Sequence, residues 1–269
     1  HYPKLLLVYF ILLSVVRFLS RPVLEVDEAE QIYLAQWWFF GYGQQPPLFS
    51  WLQHVFLLLI GDPLIAVSFL KGCIYFIIFY YAYKSAMHYM HKDQAVASNL
   101  LMFFILPISI HSFRHTHTIL AMAMASIAFF LWSKWSKNPN IKFSLLLGLT
   151  FGLGLLAKYN FLLVITGLVI LTLYSKTLKN KKSILHILLI GFSSILIFSV
   201  HGYWLLQNFE QVHNSVSKDL KPENLTYLAS ILKGTFELSA VLLNFVVLVF
   251  LILLWAYRAR LFRVLAKVN

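Results

Sequence analysis

The chain has 269 residues and a net charge of +12, yet only 12% of its residues are charged and 60% are hydrophobic. A soluble domain carries about 25% charged residues, so this composition argues against a water-soluble enzyme, and its hydrophobicity excludes a disordered chain. The basic residues lie between long apolar runs instead of forming a stripe on a polar domain, which argues against a nucleic-acid-binding protein and leaves a polytopic α-helical membrane protein.

A bilayer span needs roughly 20 predominantly apolar residues. In chain order, 5–19 reads as the first span. A polar stretch follows from Ser20 to about Gln45, and the segment 32–40 within it is expected to be helical until Gly41, Gly43, Pro46 and Pro47 turn the chain. Residues 48–60 are apolar but short and interrupted by Gln53 and His54. At 1.5 Å per residue they reach about 20 Å, less than the roughly 30 Å hydrocarbon core, so they are expected to lie in the interface. Further spans are expected at 63–83, 95–110, 118–132, 143–157, 161–174, 184–205 and 236–257. Lys158, Tyr159 and Asn160 form a tight turn between two short spans. The expectation is therefore one transmembrane domain over 1–269 with about eight spans. Residues 20–60 form its first outer loop with interfacial helices, and the whole is the N-terminal part of a longer protein.

Loop lysines and arginines orient such a chain. With the N-terminus inside, 14 of the 22 basic residues fall on the inner side, among them Lys84, Lys92, Lys134, Lys137 and Lys142. Arg17, Arg21, Lys71, Arg114, Lys158, Lys218, Lys221 and Lys233 fall on the other, Arg17 and Lys71 within spans. Nine of the ten acidic residues fall on or near the outer side.

Four places carry polar chemistry. The first is Glu25-Val26-Asp27-Glu28-Ala29-Glu30, directly after the first span. So many carboxylates at a membrane face are costly unless they work or are well hydrated. They read either as a hydrated loop that opens a helix or as a catalytic carboxylate able to take a proton from an acceptor. The second is His111-Ser112-Phe113-Arg114-His115-Thr116-His117. His115 and His117 share a face on a strand but not on a helix, so a metal site is the weaker reading, and the Arg114 guanidinium suits a phosphate. The third is the stretch from Gly148 to Tyr159, where Gly148 and Gly152, like Thr150 and Gly154, are spaced for close helix packing. There Lys158 in its turn could pair with a lipid phosphate. The fourth is His201-Gly202-Tyr203-Trp204 at the end of a span, with Trp204 as an interfacial anchor.

The first span, then Asp27-Glu28-Ala29 with a helix, then Pro46-Pro47-Leu48 with an aromatic-rich helix, resembles the polyprenyl-phosphate-sugar-dependent glycosyltransferases of the GT-C superfamily. It is most similar to the bacterial protein-mannosyltransferase-like branch that includes the lipid A aminoarabinose transferase. Gly152 to Tyr159 resembles that branch's short fifth span and basic turn, and Trp204 with Gln207-Asn208 its motif after span seven. The resemblance covers about 5–257. It implies an all-α GT-C-type helix bundle in a bacterial inner membrane, with the active site on the periplasmic face. The enzyme would move a sugar from a polyprenyl-phosphate donor to a lipid, glycan or protein acceptor, surrounded by membrane lipids and without nucleic acid. Asp27 would be the base or acceptor-orienting group, with Glu28 beside it. Lys158 and Arg114 would contact the donor phosphate, while Gln45, His117, Tyr159 and Trp204 line the substrate cavity. Gln45 stands where many relatives have Lys or His, and His117 where many have Asp. No cofactor is required; a divalent metal is compatible with this chemistry but not implied. The alternatives are a non-enzymatic transporter or flippase of polyprenyl phosphate or lipid, and a catalytically degenerate member of the family.

Overall fold

The computed structural model describes residues 1–20, 23–105, 116–175 and 181–220, and beyond these only 229, 231–236, 239, 243 and 247. The chain divides into two compact units, His1–Ser215 and Val216–Asn269. Among the described residues the regular secondary structure is helical, with one isolated bridge between Tyr42 and Gln45.

The first unit opens with α1 (Tyr2–Ser20), α2 (Val26–Leu34), α3 (Leu48–Ile60), α4 (Pro63–Ala86) and α5 (Lys92–Leu101). It continues with α6 (His117–Lys137), α7 (Ile141–Ala157), α8 (Leu162–Tyr174) and α9 (Lys181–Gln207), and α10 (Phe209–Leu220) follows. Local chemistry fixes several of these boundaries. Glu25 and Glu28 form a capping box that starts α2, satisfying amides that the first helical turn leaves open. Gly61 ends α3 at φ 81°, a conformation that favours glycine. The Asp62 carboxylate then accepts from the Ile65 amide at 2.9 Å, with Pro63 in the first turn of α4. Asn140 caps α7 in the same way.

Among the described residues, four helices are long and apolar enough to cross a membrane: Tyr2–Ser20, Pro63–Ala86, His117–Lys137 and Ile184–Gln207. They cover the segments expected at 5–19, 63–83, 118–132 and 184–205. Leu48–Ile60, Ile141–Ala157 and Tyr159–Tyr174 are shorter apolar helices. Of the span expected at 95–110, the described part is α5 followed by a 3-10 turn over Met102–Phe104; residues 106–110 lie outside the described residues. So does most of the span expected at 236–257. Large apolar side chains such as Leu12 on α1 and Leu188, Phe192 and Ile195 on α9 are exposed. That exterior would associate in water and is matched by lipid, as a polytopic membrane protein requires.

The helix expected at 32–40 is displaced. α2 begins at Val26 and ends at Leu34, and Trp37 to Phe40 are not helical. Aromatic residues are weak helix formers, and side chains from elsewhere take the carbonyls that a longer helix would have used. Tyr42 donates to Trp37 at 2.6 Å, Trp51 to Phe39 at 2.7 Å, and His201 to Phe40 at 2.6 Å.

In the core, α4 packs against α1 and α6, and α7 packs against α6 and α9. Lipid is as apolar as a leucine side chain, so such contacts depend on close fit and internal hydrogen bonds. Gly148 and Gly152 supply the fit. A Cβ on Gly148 would meet Ser193 and the Ile190 carbonyl of α9, and one on Gly152 would meet Ile197 and the Ser194 carbonyl. Gly154 serves a different contact, making room for the Phe161 ring beyond the turn. Gly148→Ala is therefore expected to separate α7 from α9 and to cost about 1–3 kcal/mol, as overpacking does. Gly167→Ala, where nothing lies within 4 Å of an added Cβ, should leave stability unchanged or slightly raised. Thermal unfolding in detergent compares the two; equal midpoints would remove Gly148 from the packing argument.

Candidate active site

Helix α2 carries the acidic cluster, and an ion cluster ties it to the bundle. Glu28 is 1% exposed. One of its carboxylate oxygens accepts from Arg17 of α1 at 2.8 Å and from the Glu25 amide at 2.9 Å, and the other accepts from Lys71 of α4 at 2.8 Å. Arg17 also donates to the Val23 carbonyl at 3.0 Å. The Glu28 carboxylate is thus buried and engaged on both oxygens, not hydrated as a loop reading of the cluster requires. Asp27, one residue earlier in the same helical turn, is exposed. Arg17 and Lys71 are the partners that sequence reasoning passed over. The signal was present, since a cation inside an apolar helix calls for a buried partner.

From α2 the contacts run through α3 to the basic turn. The Ser50 hydroxyl of α3 donates to the Gln31 side chain of α2 at 2.8 Å, and the His54 Nδ1–H to the Ala35 carbonyl at 2.6 Å. Phe49 packs on the His117 ring with centroids 5.4 Å apart. His117, at the start of α6, is 5% exposed and donates from Nδ1 to the Ala157 carbonyl at 3.3 Å, while its Nε2 is buried without a protein partner among the described residues. Lys158 caps α7 and donates to the Thr118 hydroxyl at 2.8 Å. The basic turn is thereby seated on the first turn of α6.

On its other side the turn meets the end of α9. The Tyr159 hydroxyl is 2.9 Å from His201 Nε2. The Phe40 carbonyl can only accept, so His201 Nδ1 carries a proton, and in the neutral ring Nε2 receives the tyrosine proton. Burial pushes the Tyr159 pKa up to about 12, which keeps the hydroxyl a donor over the ordinary pH range. The His201 ring stacks between Tyr159 and Trp204. Trp204 also lies directly against Gly41, where any side chain would overlap the indole. Gln45 closes the short turn with Tyr42 around Gly43, which has φ 64°. Burial raises the Tyr42 pKa, so its hydroxyl too stays a donor to the Trp37 carbonyl.

Of the residues singled out in sequence, His117, Lys158, Tyr159 and Trp204 thus belong to one continuous set of contacts, which extends through α3 to the helix of Asp27 and Glu28. Gln45 sits in the turn that leads into α3. Arg114, with His111 and His115, lies outside the described residues. Among the described residues no group of three His, Cys, Asp or Glu side chains is arranged to hold a metal. His201 is the site component to which sequence reasoning gave no role of its own; its segment at the end of an apolar span was read through Trp204.

The family model of the dolichyl-phosphate-mannose-protein mannosyltransferases matches residues 44–204, more than half of the chain. The match runs from the turn at Gln45 to Trp204, and α2 precedes it. Among curated proteins, the lipopolysaccharide core galacturonosyltransferase RgtB of Rhizobium johnstonii is 30% identical over 248 residues, covering 91% of this chain and 50% of that protein. The lipopolysaccharide core galacturonosyltransferase RgtA of the same organism is 33% identical over 163 residues, covering 60% of this chain and 32% of that protein. The chain thus spans half the length or less of these relatives. No solved structure matches it significantly.

Proposed function

Because the chain belongs to the dolichyl-phosphate-mannose-protein mannosyltransferase family, we propose that the protein transfers a sugar from a polyprenyl-phosphate donor to a glycan or lipid acceptor at the extracytoplasmic face of a bacterial inner membrane. The observation that carries this reading is the seating of Lys158 on Thr118, beside His117 and within the contacts that lead to the Asp27 helix. Such an arrangement offers one cation and one exposed carboxylate on connected elements, as transfer from a phosphate ester needs. The names of RgtB and RgtA add an acidic sugar and a lipopolysaccharide core acceptor as the first pair to assay.

In this reading the acceptor hydroxyl attacks the anomeric carbon and passes its proton to Asp27. The bond between that carbon and the phosphate oxygen breaks, and polyprenyl phosphate leaves with the bonding electrons. Lys158, with Arg114, stabilises the charge gathering on the leaving phosphate, where a positioned cation contributes most. Glu28, enclosed by Arg17 and Lys71, positions α2 and does not exchange protons with substrate. His201 and Trp204 hold the Phe40–Gly41 segment against the Tyr159 turn.

The reading is tested by following label from a polyprenyl-phosphate sugar, using the full-length protein in membranes. Lys158→Ala is expected to weaken donor binding and also to slow turnover. Removing an electrostatic stabiliser of this kind typically costs about 10²–10³-fold in rate. Unchanged transfer by Lys158→Ala would remove Lys158 from the donor site. Movement of intact donor across vesicle membranes without any sugar transfer would favour a transporter.

A further inference from the structure

A polar cavity lies at the end of the helices opposite to Lys158. Pro3 on α1, Tyr80, Tyr83 and Lys84 on α4, His88 just beyond it, and Lys134 on α6 line a space of about 390 Å³. That volume falls within the range of small-ligand pockets, about 300–1,000 Å³. His117 and Lys134 stand at the two ends of α6, 17 residues and so about 26 Å apart at 1.5 Å per residue. Arg17 and Pro3 are separated in the same sense along α1. The cavity is therefore remote from the site that contains Lys158.

Its charge is one-sided. Lys84 lies over the Tyr80 ring and Lys134 over the Phe130 ring, each with its ammonium 5.9 Å from the centroid, and Lys137 lies 5.4 Å from the Tyr89 ring. Among the described residues no carboxylate is within ion-pair distance of these three ammonium groups. His88 Nε2 is buried with no hydrogen-bond partner among the described residues. Burial, then the charges of Lys137 and Lys134, lower the His88 pKa, so the ring adds hydrogen-bonding capacity without adding charge. The end of α1 is braced here too: the Tyr2 hydroxyl donates to Asn99 at 2.7 Å, and its ring packs on Tyr83. Next to the lysines, Met87, Met90 and Phe129 are exposed. Ammonium groups aligned on aromatic faces beside exposed apolar side chains call for an occupant with both a negative charge and a hydrocarbon part.

We propose that this cavity binds the phosphate headgroup of an anionic membrane phospholipid, with Lys84 and Lys134 as its cationic contacts and the acyl chains running along Met87 and Phe129. Basic pockets between membrane helices take such headgroups. The bound lipid would fix the ends of α1, α4 and α6 to one another. The proposal is independent of the glycosyltransferase reading, since no residue of this cavity belongs to the candidate active site.

The test uses the full-length protein in a neutral detergent, offered phosphatidylglycerol or phosphatidylcholine, with retained lipid counted by native mass spectrometry. The protein is expected to keep one phosphatidylglycerol in clear preference to phosphatidylcholine. Lys84→Gln combined with Lys134→Gln should lower that retention about tenfold or more, from two cationic contacts. Lys142→Gln removes a charge that does not line the cavity and should leave retention unchanged. Met87→Trp fills the cavity with both lysines in place and should also displace the lipid, so the proposal stays testable if the double variant inserts poorly. Equal retention of the two lipids by the unmodified protein overturns the proposal, as does a double variant that binds like it. Displacement of phosphatidylglycerol by millimolar inorganic phosphate overturns it in favour of a soluble anion.

Discussion

Asp27→Asn is expected to lower sugar transfer about 10²–10⁴-fold, the usual contribution of a positioned general base, while insertion and donor binding stay close to those of the unmodified protein. The side chains are nearly isosteric, and Asp27 is exposed, so little packing is disturbed. The Glu25–Glu28 capping box that starts α2 does not use the Asp27 side chain, so the helix persists. What disappears is the proton-accepting oxygen. Label transfer and donor binding, measured separately on the same membranes, should therefore part company. If turnover stays near its original value, Asp27 is not the base, and its role reduces to a hydrated acid at a helix start.

Glu28→Gln should show the opposite pattern, a large loss of stability. It leaves Arg17 and Lys71, which are 4% and 0% exposed, around a neutral amide. Removing one partner of a buried ion pair typically costs about 3–5 kcal/mol, because the remaining charge stays buried. Glu28→Asp keeps the charge at shorter reach and should lose less. The readout is the unfolding midpoint in detergent and protease sensitivity near α2. Should Glu28→Gln unfold with the unmodified protein, the ion cluster does not hold α2 in place. Activity per folded molecule then separates positioning from catalysis, since Glu28 is enclosed by protein groups.

Much of this architecture was legible because length and hydropathy govern which helices can span a membrane. The bounds expected for 48–60 coincide with α3, since Pro47 and Gly61 punctuate both ends. The Lys158 turn and the packing role of Gly148 and Gly152 were readable from local spacing alone. α2 was misplaced because its end depends on Tyr42, Trp51 and His201 reaching back to the Trp37–Phe40 carbonyls. Contacts across 161 residues, as between Phe40 and His201, leave no periodic trace. Glu28 was grouped with Asp27 for a similar reason. The two are neighbours in sequence, but successive helical positions point about 100° apart, so one faces the bundle and the other the outside.

The position of Glu28 in the chain, between Arg17 and Lys71, also bears on biogenesis. A lysine or arginine at the centre of a helix costs roughly 2.5–3.5 kcal/mol on insertion scales, and Lys71 lies eight residues inside α4. During synthesis the carboxylate emerges before this lysine and after the arginine. The helix of Lys71 therefore meets a counter-charge already tethered to α1 as it leaves the insertion machinery. α1, α2 and α4 should then enter the bilayer as one charge-compensated assembly, and a chain lacking Glu28 should stall at the second long helix, ahead of any defect in sugar transfer.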